Sequence, residues 1–180
     1  MTATDAELVA RVRRGDLAGY AELVTRHRSS LERFAYHLLG SREDAEDALQ
    51  DTLLRGYRAI DRCEQPERVR SWLLQILINR CRTRLTRREP IVRDAAADQA
   101  LDRAVVPDES EGAAWREEIQ RALAALAPEQ REAFLLKHVE ELTYEEISAL
   151  TAVTVPALKM RVSRACERLR QLLKDVYHAG

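Results

Sequence analysis

The chain has 180 residues, with 29 Lys and Arg against 30 Asp and Glu and a formal net charge of -1. This length allows one ordinary domain or two small ones, and the content of 46% hydrophobic and 33% charged residues excludes a disordered chain. Six glycines, five prolines and only 5% aromatic residues favour helices over sheets. The near-zero charge argues mildly against nucleic-acid binding, but the total does not say where the charges lie.

The composition also bears on the compartment. No stretch reaches the roughly 20 apolar residues that a membrane-crossing helix needs. The first residues, Met1 to Arg14, are polar and lack the apolar centre of a signal peptide. We therefore expect a cytoplasmic protein without membrane insertion.

The residues that usually carry metals or catalysis are scattered. Three cysteines, Cys63, Cys81 and Cys166, are too few and too widely spaced for a disulfide framework or a paired-cysteine metal site. The histidines are equally dispersed, and no HExxH, P-loop or GxGxxG motif occurs. We expect no cofactor, no metal and no catalytic residues, and so a protein that is not an enzyme.

Charge is distributed unevenly along the chain. Residues 1–88 carry 17 basic and 13 acidic side chains, residues 89–112 carry 2 and 7, and residues 113–180 carry 10 of each. Within the last part, residues 151–180 hold 6 basic and 2 acidic side chains. The middle stretch contains Pro90 and Pro107 and has poor apolar periodicity, although a short helix at Asp94 to Arg103 is possible within it. The prediction is an all-α protein, with helical domains at 1–88 and 113–180 joined by an acidic linker at 89–112.

Two helices of the N-terminal domain follow from apolar spacing and capping residues. The first carries Leu31, Phe34 and Leu38 at helical spacing and ends at Gly40, after which Ser41 caps the next helix. That next helix has an apolar face made by Ala45, Ala48, Leu49, Thr52 and Leu53. Its other face is an acidic ridge that includes Glu43, Asp47, Gln50 and Asp51. From spacing alone, a solvated surface is favoured over a binding surface for this ridge.

A further helix runs from Val69 towards Arg88, after a loop at Asp61 to Pro66. Polar, basic and aromatic side chains follow one stripe along it: Arg68, Trp72, Gln75, Asn79, Arg82 and Thr86. Guanidinium, amide and aromatic groups contact phosphates and unpaired bases. The alternative places Trp72 in the core and leaves the arginines in solvent.

The C-terminal domain has the pattern of a helix-turn-helix. Thr143 and Glu146 form a capping box, a turn spans Thr151 to Thr154, and the second helix begins near Pro156. One face of this second helix is apolar: Leu158, Val162, Ala165, Leu169, Leu172 and Val176. The opposite face and its flanks carry Pro156, Lys159, Met160, Arg161, Ser163, Arg164, Glu167 and Arg168. Arg164 suits bidentate contact with guanine, although a solvated basic helix in an ordinary bundle also fits.

Four segments together resemble one family. They are EDAEDALQDTLLRGYRAI, RSWLLQILINRCRTRLTRR, ALAALAPEQREAFLLKHVEELTYEEISAL and ALKMRVSRACERLR. In this order, across an acidic linker, they resemble the extracytoplasmic-function (ECF) sigma factors of bacterial RNA polymerase, in the sigma-70 superfamily. The resemblance covers nearly the whole chain.

The resemblance implies partners and roles for particular residues. The partners are core RNA polymerase, through its clamp helices and flap, promoter DNA and an anti-sigma factor. The residues matching the polymerase-binding surface are Asp44, Glu46, Asp47, Gln50, Asp51 and Leu54. Those matching the surface that binds the minus-ten element, including a loop that captures a flipped base, are Arg62, Cys63, Arg68, Trp72, Gln75, Asn79 and Arg82. Those matching the helix that binds the minus-thirty-five element are Pro156, Lys159, Met160, Arg161, Ser163, Arg164 and Arg168.

The sequence departs from the family pattern at several positions. Leu77 and Ile78 replace a frequent Ala-Arg before Asn79, Ala152 replaces the usual glycine of the turn, and Met160 replaces a frequent serine. These changes alter groove-facing chemistry more than the expected fold. Three other interpretations remain: a helix-turn-helix regulator that acts without polymerase, a helical enzyme, and a helical adaptor that binds no DNA.

Overall fold

The computed structural model describes the backbone of residues 3–94 and 111–177, and the side chains of residues 3–87 and 115–174. Within these ranges the prediction of an all-α protein is confirmed, because the chain forms α-helices and two short 3₁₀ turns without any strand. The chain forms two compact units, Met1–Arg82 and Thr83–Gly180. None of the helices described is long and apolar enough to cross a membrane.

The first unit contains α1 (Asp5–Arg13), α2 (Leu17–Leu39), α3 (Arg42–Arg58) and the start of α4 (Val69–Asp94), and α2 packs against both α1 and α3. The predicted end of α2 is confirmed, since Gly40 adopts the left-handed conformation with φ 75°. Ser41 then caps α3, and its hydroxyl accepts the Asp44 N–H at 3.2 Å. The core consists mainly of aliphatic side chains: Leu8, Val9, Leu23, Leu31, Phe34, Leu38, Ala48, Leu49, Leu73, Leu74, Leu77 and Ile78.

The end of α4 differs from the prediction. The helix continues through Pro90 to Asp94, into the segment predicted as linker. A proline need not end a helix, because it removes one backbone donor and the helix can absorb the local clash by bending. The remaining linker, with most of the short helix predicted at Asp94 to Arg103, lies outside the described residues. The predicted domain limits at 88 and 113 stay a prediction.

The second unit contains α5 (Glu111–Ala124), α6 (Pro128–His138), α7 (Tyr144–Thr151) and α8 (Val155–Tyr177). Helix α8 packs against α5, α6 and α7. Pro128 occupies the first turn of α6, where its missing N–H costs no hydrogen bond. The capping box at the start of α7 is also confirmed, since Thr143 and Glu146 each accept a backbone N–H from the other. The core is again aliphatic: Leu123, Leu126, Leu135, Leu136, Ile147, Leu158, Val162 and Ala165.

A buried arginine fixes the junction between α5 and α6. Arg131 is 7% exposed, and its Nη2 donates to the carbonyl oxygens of Ala124 at 2.7 Å and Leu126 at 3.2 Å. These carbonyls lie at the C-terminal end of α5, where a helix cannot supply its own donors. Burial lowers the pKa of the Arg131 guanidinium. The side chain therefore closes α5 and sets where α6 begins.

The turn between α7 and α8 places an alanine in a left-handed conformation. Ala152 has φ 58° and ψ 24°, and its N–H donates to the Ser148 carbonyl at 2.9 Å. This conformation costs an L-residue about 1–2 kcal/mol, whereas a glycine adopts it without a steric penalty. The turn of the helix-turn-helix therefore contains a strained backbone conformation at Ala152.

Replacing Ala152 with glycine is expected to stabilise the second unit. The relief of strain exceeds the entropic cost of glycine, so we expect a net gain of about 0.5–1 kcal/mol. Hydrogen exchange of the α7 and α8 amides, together with urea denaturation, measures the change. The matched control is Ala149→Gly at an exposed position inside α7, which is expected to destabilise by a similar amount. Equal effects of the two substitutions would contradict the assignment of strain to Ala152.

Candidate nucleic-acid interface

The acidic ridge lies on the outer face of α3. The inner face buries Ala45, Ala48, Leu49 and Thr52, as predicted, whereas Leu53 is only half-buried. On the outside, Glu46, Asp47 and Gln50 are exposed, Asp44 is half-buried, and Leu54 is 49% exposed. The outer face of α3 therefore combines carboxylates with an exposed aliphatic side chain, and its predicted contact with the polymerase stays a prediction.

Asp51 has a second role that the sequence did not indicate. Its carboxylate accepts Arg55 Nε at 3.0 Å within α3 and lies 3.6 Å from Nη1 of Arg80 on α4. Residue spacing within α3 indicated only that Asp51 lies on the ridge, because spacing within one helix does not reveal a contact with another helix. The ion pair with Arg80 connects the ridge to the helix that carries the polar stripe.

Helices α3 and α4 approach closely at Gly56. A Cβ atom at this buried position would lie 2.6 Å from Cδ2 of Leu73 and 3.1 Å from the Tyr20 hydroxyl oxygen. Trp72 is also near, with a ring carbon 3.8 Å from the same point. The absence of a side chain at Gly56 lets α4 pack tightly here. Gly56 therefore helps to set the position of the tryptophan on the polar stripe.

The polar stripe, which begins at Arg68 in the turn just before α4 and continues along α4, is at least partly accessible over the part that the structure describes. Arg68, Gln75 and Asn79 are exposed, and Trp72 and Arg82 are half-buried. The opposite face supplies core residues: Val69, Leu73, Leu74, Leu77, Ile78 and Cys81. Trp72 is therefore neither a core residue nor fully exposed, so part of its ring can stack on a base.

The loop before α4 contains two 3₁₀ turns, Ile60–Arg62 and Pro66–Arg68. Arg62 is exposed, whereas Cys63 is only 1% exposed. The thiol of Cys63 therefore points into the protein, and the predicted contact of Cys63 with the minus-ten element stays a prediction. Burial raises the pKa of the Cys63 thiol, although the nearby Arg13 opposes this.

The helix-turn-helix of the second unit presents its predicted outer face. Pro156, Lys159, Ser163, Arg164 and Arg168 are exposed, Met160 is 53% exposed, and Arg161 is half-buried. Four of the residues predicted to pack, Leu158, Val162, Ala165 and Leu169, are buried. Leu172 is half-buried, and the side chain of Val176 lies outside the described residues.

A basic and aromatic cluster beside this face was not predicted. The ammonium groups of Lys137 and Lys159 lie over the Tyr144 ring, 5.1 and 5.8 Å from its centre, as in cation–π contacts. Lys137 also donates to the Leu142 carbonyl at 3.1 Å. Three different helices contribute to this cluster, so only the tertiary structure could reveal it.

The described residues contain no group of three or more metal-ligating side chains that could hold a metal ion. The candidate sites described above are the two surfaces of the first unit and the helix-turn-helix of the second. These sites carry acidic, basic, amide and aromatic groups suited to binding protein and DNA.

Comparison with known proteins gives the family. The sigma-70 region 2 family matches residues 23–90, and the sigma-70 region 4 family matches residues 116–169. The RNA polymerase sigma factor CarQ of Myxococcus xanthus is 33% identical over 92% of this chain and 95% of its own length. The ECF RNA polymerase sigma factor SigE of Mycolicibacterium smegmatis is 32% identical over 87% of this chain, which spans 62% of that longer protein.

A solved structure agrees with these relatives. The sigma factor RpoE from Bartonella quintana, in complex with the anti-sigma factor NepR, superposes with a TM-score of 0.72 and 29% identity. The match covers 86% of this chain and 96% of that chain. This chain belongs to the ECF sigma factors of the sigma-70 superfamily.

Proposed function

We propose that this protein binds core RNA polymerase and directs promoter-specific initiation of transcription as an alternative sigma factor. The observation that carries the proposal is the arrangement of the first unit. An acidic ridge on α3 and a stripe of Arg, Trp, Gln and Asn along α4 and the turn before it, both at least partly exposed, occupy adjacent elements of one compact unit. A helix-turn-helix regulator without a polymerase partner would need neither surface.

In this proposal the polar stripe contacts the minus-ten element of the promoter. Extruding a base costs a few kcal/mol of stacking, and an aromatic face can recover about 1–3 kcal/mol. Trp72 presents part of its ring for such stacking, while Gln75 and Asn79 offer amide donors and acceptors. Arg62, Arg68 and Arg82 supply guanidinium groups for the phosphates on either side.

The helix-turn-helix contacts the minus-thirty-five element through the major groove. Ser163 and Arg164 lie on the exposed face of α8, and arginine can pair with both O6 and N7 of guanine. The flanking cations suit the phosphate backbone: Lys159, Arg161 and Arg168. Pro156 and Met160 lie on the same exposed face and offer apolar contact to the groove.

Protein partners bind the remaining surfaces. The ridge residues Asp44, Glu46, Asp47, Gln50 and Asp51, with Leu54, dock on the clamp helices of the polymerase, and the second unit docks on the flap. An anti-sigma factor that covers such surfaces is a further partner, which the complex of RpoE with NepR supports. Catalysis belongs to the polymerase, and this chain supplies recognition and melting.

Reconstitution with bacterial core RNA polymerase tests the proposal. The chain should co-purify with core enzyme and direct transcription from members of a promoter library randomised at both elements. Failure to bind core enzyme, or to initiate at any library member, refutes the sigma-factor function. A regulator that works without polymerase would instead shift duplex DNA by itself and leave the transcription unchanged.

Arg164→Ala is expected to weaken recognition of the minus-thirty-five element by about 1–3 kcal/mol, because a bidentate contact with guanine is lost. Competition binding of holoenzyme to promoters with each base at the contacted position measures the loss. Arg170→Ala, at another exposed position of α8, is the control and should change base preference little. An unchanged base preference in Arg164→Ala would remove this residue from the base-reading set.

A further inference from the structure

We propose that Arg13 of α1 is a positioning residue for the loop that precedes α4. This inference rests on the proposed function and on the family resemblance, which implies that the loop at Asp61 to Pro66 captures a base flipped from the minus-ten element. The sequence assigned no role to α1. The structure places the guanidinium of Arg13 against the backbone of this loop.

One nitrogen of Arg13 serves two loop carbonyls. Its Nη2 donates to the Cys63 carbonyl at 2.5 Å and to the Ile60 carbonyl at 3.4 Å. Helix α1 also contacts both 3₁₀ turns of the loop region. A guanidinium offers several donors in a fixed plane, so it can hold two backbone groups in a defined relation.

The side chain of Cys63 is held from the other direction. It is buried, and its sulfur lies 3.6 Å from the Gln65 carbonyl oxygen, within donor range for a thiol. The loop is therefore fastened at its centre by a buried side chain and by a bound carbonyl. The residues on either side, Arg62, Glu64 and Gln65, remain exposed.

Helix α1 is itself fixed to α2, so the backbone from which the Arg13 side chain extends has a defined position. Asp5 accepts Arg26 Nη1 at 2.6 Å and lies 2.9 Å from Nε2 of the buried His27. Near the other end of α1, Arg11 donates to Asp16 at 2.8 Å. Arg13 therefore connects the loop to the α1–α2 pair, in addition to the covalent connection of the loop to α3 and α4.

The consequence for function is selectivity between bases. A loop whose exposed side chains are held in one geometry can distinguish the four bases, whereas a loop that samples several geometries accepts them more equally. Arg13 touches neither DNA nor polymerase in this proposal. It acts through the shape of the loop.

The test compares Arg13→Gln and Arg13→Lys with wild type and with the matched control Arg14→Gln. Arg13 and Arg14 are neighbours and both are exposed, so the two substitutions are matched in charge and exposure and differ in the loop carbonyls that Arg13 contacts. Each protein is assembled with core enzyme and bound to promoter fragments whose minus-ten element is already unpaired, with each of the four bases at the captured position. This format reports base discrimination separately from duplex melting. Thermal unfolding and core-enzyme affinity are measured on the same samples.

We expect Arg13→Gln to lose roughly tenfold in discrimination between the best and worst base, the size expected for losing a charge-assisted hydrogen bond. Arg13→Lys keeps the charge but can serve fewer acceptors, so its discrimination should fall between those of Gln and wild type. Arg14→Gln should match wild type, and core-enzyme affinity should be unchanged in all variants.

Wild-type discrimination in both Arg13 variants would overturn the proposal. If Arg13→Gln does not fold, Arg13→Lys decides by the same measurement. A purely structural role would lower thermal stability and leave base discrimination unchanged, which also overturns the proposal. If the wild-type holoenzyme initiates at no promoter, the sigma-factor function fails first, and this outcome is distinct from the loss of selectivity in the variants.

Discussion

Reversing the charge of Asp47 is expected to reduce the affinity for core RNA polymerase by about 2 kcal/mol or more, roughly thirtyfold. Asp47 is exposed on the outer face of α3, and Gln50 and Leu54 follow at helical spacing on the same side. The acidic ridge is expected to meet a basic partner surface, so an arginine here would set a like charge against that surface and leave the neighbouring ridge residues poorly matched. Titration of labelled core enzyme with wild-type and Asp47→Arg protein measures the change.

The control for Asp47 is a charge reversal outside the ridge. Glu32→Arg on α2 changes the net charge by the same amount, and Glu32 pairs only loosely, at 3.7 Å, with Arg28 of its own helix. We expect its core-enzyme affinity to stay within about twofold of wild type, because exposed pairs contribute little. If Asp47→Arg binds core enzyme as tightly as Glu32→Arg does, the ridge is a solvated surface.

Removing the buried guanidinium in the second unit should have the largest effect on stability. Arg131→Ala deletes the donor to the Ala124 and Leu126 carbonyls and also leaves a cavity where the aliphatic stem was packed. We expect a loss of about 3 kcal/mol in the free energy of unfolding of this unit, measured by urea denaturation. Loss of minus-thirty-five binding should follow, since α8 packs on the displaced α6.

Two further variants separate the causes of that loss. Arg131→Met keeps a long apolar stem and avoids burying a charge, so about half of the loss should remain. Arg121→Ala removes an arginine whose side chain is 56% exposed and whose partner is Glu118 in the same helix. That change should cost less than about 1 kcal/mol. Equal midpoints for Arg131→Ala and Arg121→Ala would contradict the structural role of Arg131.

The sequence predicted the helices where local signals repeat. Glycine at the end of α2, serine at the start of α3 and the capping box of α7 act within a few residues, so spacing reveals them. The end of α4 was missed because Pro90 is a local signal for a break, whereas the helix continues past it to Asp94. A proline disfavours the helix, whereas its neighbours here favour it. The spacing of residues in the sequence does not show which of these two preferences is the stronger.

Some features of the candidate site were likewise predictable from the sequence, and others were not. Exposed faces on α3, α4 and α8 were predictable, because an apolar stripe defines the face opposite to it. The burial of Cys63, the contact of Arg13 with the loop and the meeting of Lys137 with Tyr144 were not. Each depends on residues from different elements coming together, which periodicity within one helix does not report.

The ion pair between Asp51 and Arg80 affects how mutants of this surface are to be interpreted. The Asp51 carboxylate lies on the ridge, but it also pairs with Arg80 and so contributes to the packing of α4 against α3. A substitution at Asp51 therefore changes two surfaces at once. A combined defect in polymerase binding and promoter binding would not show whether Asp51 acts through the ridge or through its contact with α4. A double-mutant cycle with Arg80 isolates the coupling free energy between the two side chains. With that term subtracted, the contribution of Asp51 to polymerase affinity can be stated by itself.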